Sequence, residues 1–232
     1  MSGHDSQPGA AVTGPPENPP AGGPATDAAS ATSAASVAAA FGRRNGPGRD
    51  LADSAGQIAS AAHAMAQRFA QGGKLVVFGT GAASTDAQHV AVEFVHPVIV
   101  GKRALPAISL TSDAATVTGV AASEGLENVF AHQIRYLAEP ADIALGIAPA
   151  ASTPSVAGGL RAASERGMLT IVLTGDDGGA PGAESYADFV LAAGSADPRI
   201  VKEIHVSTYH VLWELVHVFF EQPGVLGPWV VT

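Results

Sequence analysis

The chain has 232 residues, a formal net charge of −9, 47% hydrophobic residues and no cysteine. The acidic balance argues against binding through nucleic-acid phosphates, although a few local donors suffice for a phosphorylated small molecule. Without cysteine there is no disulfide, no thiolate metal site and no cysteine nucleophile. No apolar run reaches the ~18–20 residues of a membrane span, and the cytoplasm is the expected compartment.

Residues 1–47 are rich in Ala, Gly, Pro, Ser and Thr and lack an alternating or helical apolar pattern until Ala31. They read as a disordered tail. No charged segment precedes an apolar core, so they do not read as a secretory signal. Residues 48–232 suit one domain. Leu51 to Phe69 repeats apolar residues at helical spacing and stops at Gln71-Gly72-Gly73. Leu75–Phe78 reads as a buried strand, followed by the turn Gly79-Thr80-Gly81-Ala82-Ala83 and a helix from Ser84 to about Val95, ended by Pro97. Pro106–Leu110 is a second strand, and Thr111-Ser112-Asp113 caps the next helix. A helix over Asn128–Leu137 leads to a third strand, Ile143–Ile147, and Pro154 suits the first turn of a helix reaching Arg166. Leu169–Leu173 and Phe189–Leu191 are the fourth and fifth strands, and Ile200 to about Phe220 is a long final helix. Five short apolar strands separated by helices predict an α/β three-layer sandwich around a five-stranded parallel sheet. Ligands of such sheets bind beyond the carboxyl ends of the strands.

The helix after the first turn starts at that edge. It carries His89 and Glu93, four residues apart and so on one face. An imidazole and a carboxylate placed together suit a metal ion or a proton-transfer pair. A His–Glu pair on a solvated or packed face is the plainer alternative. His96 reads as a helix-end residue beside Pro97. His205 faces away from His210, and His217 suits packing or an interface. Glu214 lies four residues after His210 and is placed to orient its imidazole. Gly175-Asp176-Asp177-Gly178-Gly179 reads as a surface turn rather than a cation site. Val218-Phe219-Phe220 and Pro228–Val231 are apolar enough for a subunit contact. There is no Gly-Lys-Ser/Thr phosphate loop, and Gly79-Thr80-Gly81 lacks the third glycine of a dinucleotide fingerprint.

Gly79-Thr80-Gly81, Asp86-Ala87-Gln88-His89 with Glu93, Leu105 through Asp113, Glu165-Arg166-Gly167-Met168 and Leu173-Thr174-Gly175 occur in an order that resembles the sugar isomerase (SIS) domain. The similarity runs from about Leu51 to about Glu221 and is nearest to the phosphoheptose isomerases. The resemblance implies a flavodoxin-like or Rossmann-like sheet, and a homotetramer, or at least a dimer, with sites at subunit interfaces. It also implies interconversion of sedoheptulose 7-phosphate and an aldoheptose phosphate through an enediol. Carried over residue by residue, it implies that His89, Glu93 and His210 hold a divalent metal, zinc by preference. Glu93 and His210 would be catalytic. Thr80, Gly81, Ser84, Asp113, Ser152, Thr153 and Lys202 would contact the substrate.

The chain departs from the family in two places. The loop after the third strand reads Ala148-Pro149-Ala150-Ala151-Ser152-Thr153, where the family has S-T-S-G-N-S, so two of the three phosphate-binding hydroxyls, a glycine and one amide donor are lost. Lys202 falls where the family has a metal-binding Gln, and a charged lysine cannot coordinate. These departures keep open a second reading, a non-catalytic SIS module that binds a sugar phosphate or a protein. They also predict weak affinity for sedoheptulose 7-phosphate.

Overall fold

The computed structural model describes residues 24–149, 153–175, 182–222 and 224–226. The chain divides into two units after Gly42. In the first, Pro24–Gly42 form helix α1. In the second, α2 is Asn45–Asp53, α3 Ala55–Ala70, β1 Leu75–Gly79, α4 Ala82–Val95, β2 Ala107–Ser109, α5 Ala114–Glu124, α6 Val129–Leu137, β3 Ile143–Ala148, α7 Pro154–Glu165, β4 Leu169–Thr174, β5 Phe189–Ala192 and α8 Pro198–Glu221.

The five strands pair in parallel in the order β2-β1-β3-β4-β5. β1, β3 and β4 are buried along their whole length, which explains why they read as unbroken apolar runs. Successive side chains go to opposite faces. Leu75, Val77, Ile143, Leu145 and Ile171 pack with α3, α4 and α8. Val76, Phe78, Ala144 and Val172 pack with α6 and α7. The result is the expected three-layer α/β sandwich. Among the described residues, no helix is long and apolar enough to cross a membrane.

The elements depart from the sequence pattern in three places. α1 forms within residues expected to lack structure. The expected helix over Leu51–Phe69 breaks at Ser54, whose hydroxyl donates back to the Asp50 carbonyl at 3.0 Å, as serine does where it competes with helix hydrogen bonding. α2 begins at Asn45, ahead of the expected domain boundary, and just before it Arg44 forms a two-bond ion pair with Glu203 of α8.

Candidate active site

The site begins at the carboxyl end of β1. A Cβ at Gly79 would lie 2.9 Å from the Ile147 carbonyl oxygen and 2.9 Å from the Ala83 side chain, so only glycine lets α4 start this close to β3. Gly81 has φ +59°, a left-handed conformation that reverses the chain into α4. Ser84 Oγ then donates to the Gly81 carbonyl at 2.7 Å. The Ser84 carbonyl accepts from Thr111 Oγ1 at 3.3 Å, which ties this turn to the end of β2.

α4 and α8 run side by side, and three contacts join them. Lys202 Nζ donates to Asp86 Oδ1 and Oδ2 at 2.6 and 2.7 Å. Tyr209 Oη lies 2.8 Å from His89 Nδ1. Trp213 Nε1 donates to the Glu93 carbonyl at 2.9 Å. The residues on α4 are spaced three and four apart, and those on α8 seven and four apart, so each set forms one helical face. This packing brings His210 to His89 and Glu93, from which more than a hundred residues separate it in the sequence.

His89 Nε2 lies 3.2 Å from Glu93 Oε1, and the His89 and His210 rings meet edge to face with centroids 5.2 Å apart. Among the described residues these three are the one group of His, Asp or Glu side chains arranged to hold a metal ion, with one ligand atom from each within 4.8 Å of the others. They line a cavity of about 540 Å³ with Trp213, Glu214 and the loop residues Val98, Ile99 and Lys102. Glu93 is mostly covered, while His89 is about two-fifths exposed and His210 is exposed.

This architecture has counterparts. The SIS domain family model matches residues 49–175. Phosphoheptose isomerase of Solidesulfovibrio magneticus is 36% identical over 183 residues, 78% of this chain and 88% of that protein. That of Pelobacter propionicus is 37% identical over 166 residues, 72% of this chain and 83% of its own. The chain belongs to the SIS domain family. The solved phosphoheptose isomerase of Francisella tularensis superposes with a TM-score of 0.74 at 28% identity, covering 80% of this chain and 98% of that one. The Neisseria gonorrhoeae enzyme gives 0.71 at 28% identity, over 78% and 96%.

The donor set of this SIS domain fits a zinc-like ion. Two imidazoles and one carboxylate are ordinary zinc ligands, and three protein ligands leave a position open for a substrate or water. Bond lengths near 2.0–2.1 Å place tetrahedral ligand atoms ~3.4 Å apart. The three donors therefore need only a modest closing.

The remaining candidates are distributed unevenly. Thr80, Gly81 and Ser84 lie in the turn at the head of α4, as expected. Lys202 sits at the same turn. It is engaged by Asp86, by the Ala82 carbonyl and by Thr85 Oγ1, the last two at 3.2 Å, and it does not line the triad cavity. Asp113 is the N-cap of α5, with Oδ1 accepting from the Ala115 and Thr116 amides at 3.0 and 3.1 Å and Oδ2 from the Thr116 hydroxyl at 2.6 Å. The Thr116 hydrogen bonds hold its carboxyl below the usual range. Thr153 is the N-cap residue of α7. Ser152, the acidic turn at Asp176-Asp177 and Pro228–Val231 lie outside the described residues.

His205 and His217 are buried, as packing roles require. His205 Nε2 meets the Thr174 carbonyl at 3.1 Å, and burial pushes its imidazole below the usual range. Tyr209, Trp213 and Asp86 are the contributors that sequence reasoning missed. Tyr209 and Trp213 share a helical face with Lys202 at seven- and four-residue spacing, and that periodicity was the available signal.

Proposed function

We propose that this protein is a phosphosugar isomerase interconverting the ketose and aldose forms of a heptose phosphate of the sedoheptulose 7-phosphate class. The convergence of His89, Glu93 and His210 in one cavity on an SIS framework carries this reading. The Glu93 carboxylate, mostly shielded from solvent, is placed to take a proton from the ketose C1. His210, exposed to the cavity, gives a proton to the C2 oxygen, and an enediol results. Glu93 then returns its proton to C2 while His210 removes one from the C1 oxygen, leaving an aldehyde at C1. Atoms and charge balance, and no co-reactant is consumed.

His89, Glu93 and His210 would hold the divalent ion, zinc by preference. Its chemistry is to offset negative charge that builds on the sugar oxygens. Val98, Ile99 and Trp213 give the cavity an apolar side. The retained triad weighs against a purely non-catalytic module, because packing alone does not require two imidazoles and a carboxylate around a cavity. A subunit assembly, tetramer or dimer, accords with the exposed apolar residues Val92, Val95, Val98, Ile99 and Val100 near this cavity.

The test is turnover of sedoheptulose 7-phosphate by zinc-loaded protein. Glu93→Gln and His210→Asn should each lower kcat at least ~100-fold, the usual worth of a positioned acid or base. Full activity in either variant would refute the assignment.

A further inference from the structure

Tyr209 touches no reacting atom in the chemistry above. Its ring is 1% exposed, it precedes His210 on α8, and its hydroxyl meets His89 Nδ1 across the helix pair at 2.8 Å. The rings of His89, Tyr209 and His210 pack mutually edge to face. Their centroids are 5.4 Å apart for His89–Tyr209, 5.2 Å for His89–His210 and 4.9 Å for Tyr209–His210. We propose that Tyr209 is a positioning residue: its hydroxyl, bonded to His89 Nδ1, fixes the imidazole and keeps Nε2 as the nitrogen presented to a metal ion between α4 and α8. The metal part of this inference rests on the reading of His89 as a ligand. The hydrogen-bond part does not.

The donor and acceptor inventory supports this role. An ionised carboxylate only accepts, so at 3.2 Å His89 Nε2 donates to Glu93 Oε1. In a neutral ring Nδ1 then carries a lone pair, and the Tyr209 O–H donates to it. When Nε2 gives its lone pair to an ion, the ring proton sits on Nδ1 and the same phenol oxygen accepts it. A hydroxyl serves both states because it donates and accepts, whereas a carbonyl only accepts. A phenol titrates at about 10 in its ordinary state, so the O–H is present at neutral pH. Partners behind a ligating histidine orient the ring and set its tautomer, and losing one typically costs 10–100-fold in metal affinity.

The experiment compares the full-length protein with Tyr209→Phe, which keeps the buried ring. Tyr136→Phe, an exposed tyrosine on α6, serves as the control. Nitrogen-15 NMR of the metal-free protein at alkaline pH should show His89 protonated on Nε2 in the unmodified chain and a mixture of tautomers in Tyr209→Phe. Zinc affinity, measured by competition with a chelator, should fall 10–100-fold in Tyr209→Phe and stay unchanged in Tyr136→Phe. A Tyr209→Phe protein with unaltered tautomer and zinc affinity within twofold would overturn the proposal. If the unmodified protein binds no zinc, the ligand reading fails, and the tautomer comparison alone decides the role of Tyr209.

Discussion

Replacing Lys202 with methionine is expected to destabilise the fold rather than to remove a substrate contact. Asp86 has a side chain 8% exposed, and both of its oxygens accept from Lys202 Nζ, at 2.6 and 2.7 Å. Removing one member of a fully buried pair costs about 3–5 kcal/mol, because the remaining charge is stranded. Lys202 is 42% exposed, so solvent already screens one side of the pair. That discount brings the expected cost to about 2–3 kcal/mol. For a domain of this size, 1 kcal/mol shifts the melting temperature by ~2–4 °C, so Lys202→Met should melt roughly 4–12 °C lower by circular dichroism. Adding Asp86→Leu should recover most of the loss, since a buried pair exchanged for apolar groups is often neutral. A Lys202→Met protein melting within about 1 °C of the unmodified chain would refute the reasoning, because the shift expected from a stranded charge is several-fold larger. Lys202 would then be available to a ligand.

Three further outcomes are expected. His205 stays neutral when folded, because burial lowers its pKa, whereas the unfolded chain takes up that proton below about 6.5. Stability should therefore fall as pH drops from about 6.5, at up to ~1.4 kcal/mol per pH unit, and denaturant titrations of His205→Gln should show a shallower slope. Deleting residues 1–42, the first unit, should leave the melting temperature within about 2 °C, because a segment so rich in Ala, Gly, Pro, Ser and Thr has few large apolar side chains to bury; a drop of several degrees would contradict this. Introducing serine at Ala148 and Ala150 with glycine at Ala151 should tighten sedoheptulose 7-phosphate binding at least ~10-fold in calorimetry, each charged hydrogen bond being worth about 1.5–3 kcal/mol. Micromolar binding by the unmodified chain, or no gain on substitution, would count against the loop reading.

The sheet was legible because β1, β3 and β4 are buried on both faces and so appear as unbroken apolar runs. The His89–Glu93 pair was legible because four-residue spacing on a helix that follows a glycine turn fixes its location. What α8 contributes was harder to see. Lys202–Asp86 and Tyr209–His89 are separated by more than a hundred residues, and a tyrosine inside an apolar helix looks like core. α1 was missed because an Ala-rich segment can be helical by intrinsic propensity without an apolar stripe to announce it. The break at Ser54 was masked by apolar spacing that continues through it.

The most direct test of the central claim is proton NMR of sedoheptulose 7-phosphate incubated with the zinc-loaded protein in deuterium oxide. A proton removed from carbon by Glu93 and returned through an enediol predicts an aldoheptose phosphate product with deuterium entering at C2. Neither conversion nor incorporation should be detectable with Glu93→Gln. Absence of both conversion and exchange with the intact, zinc-loaded protein at saturating substrate would contradict the account.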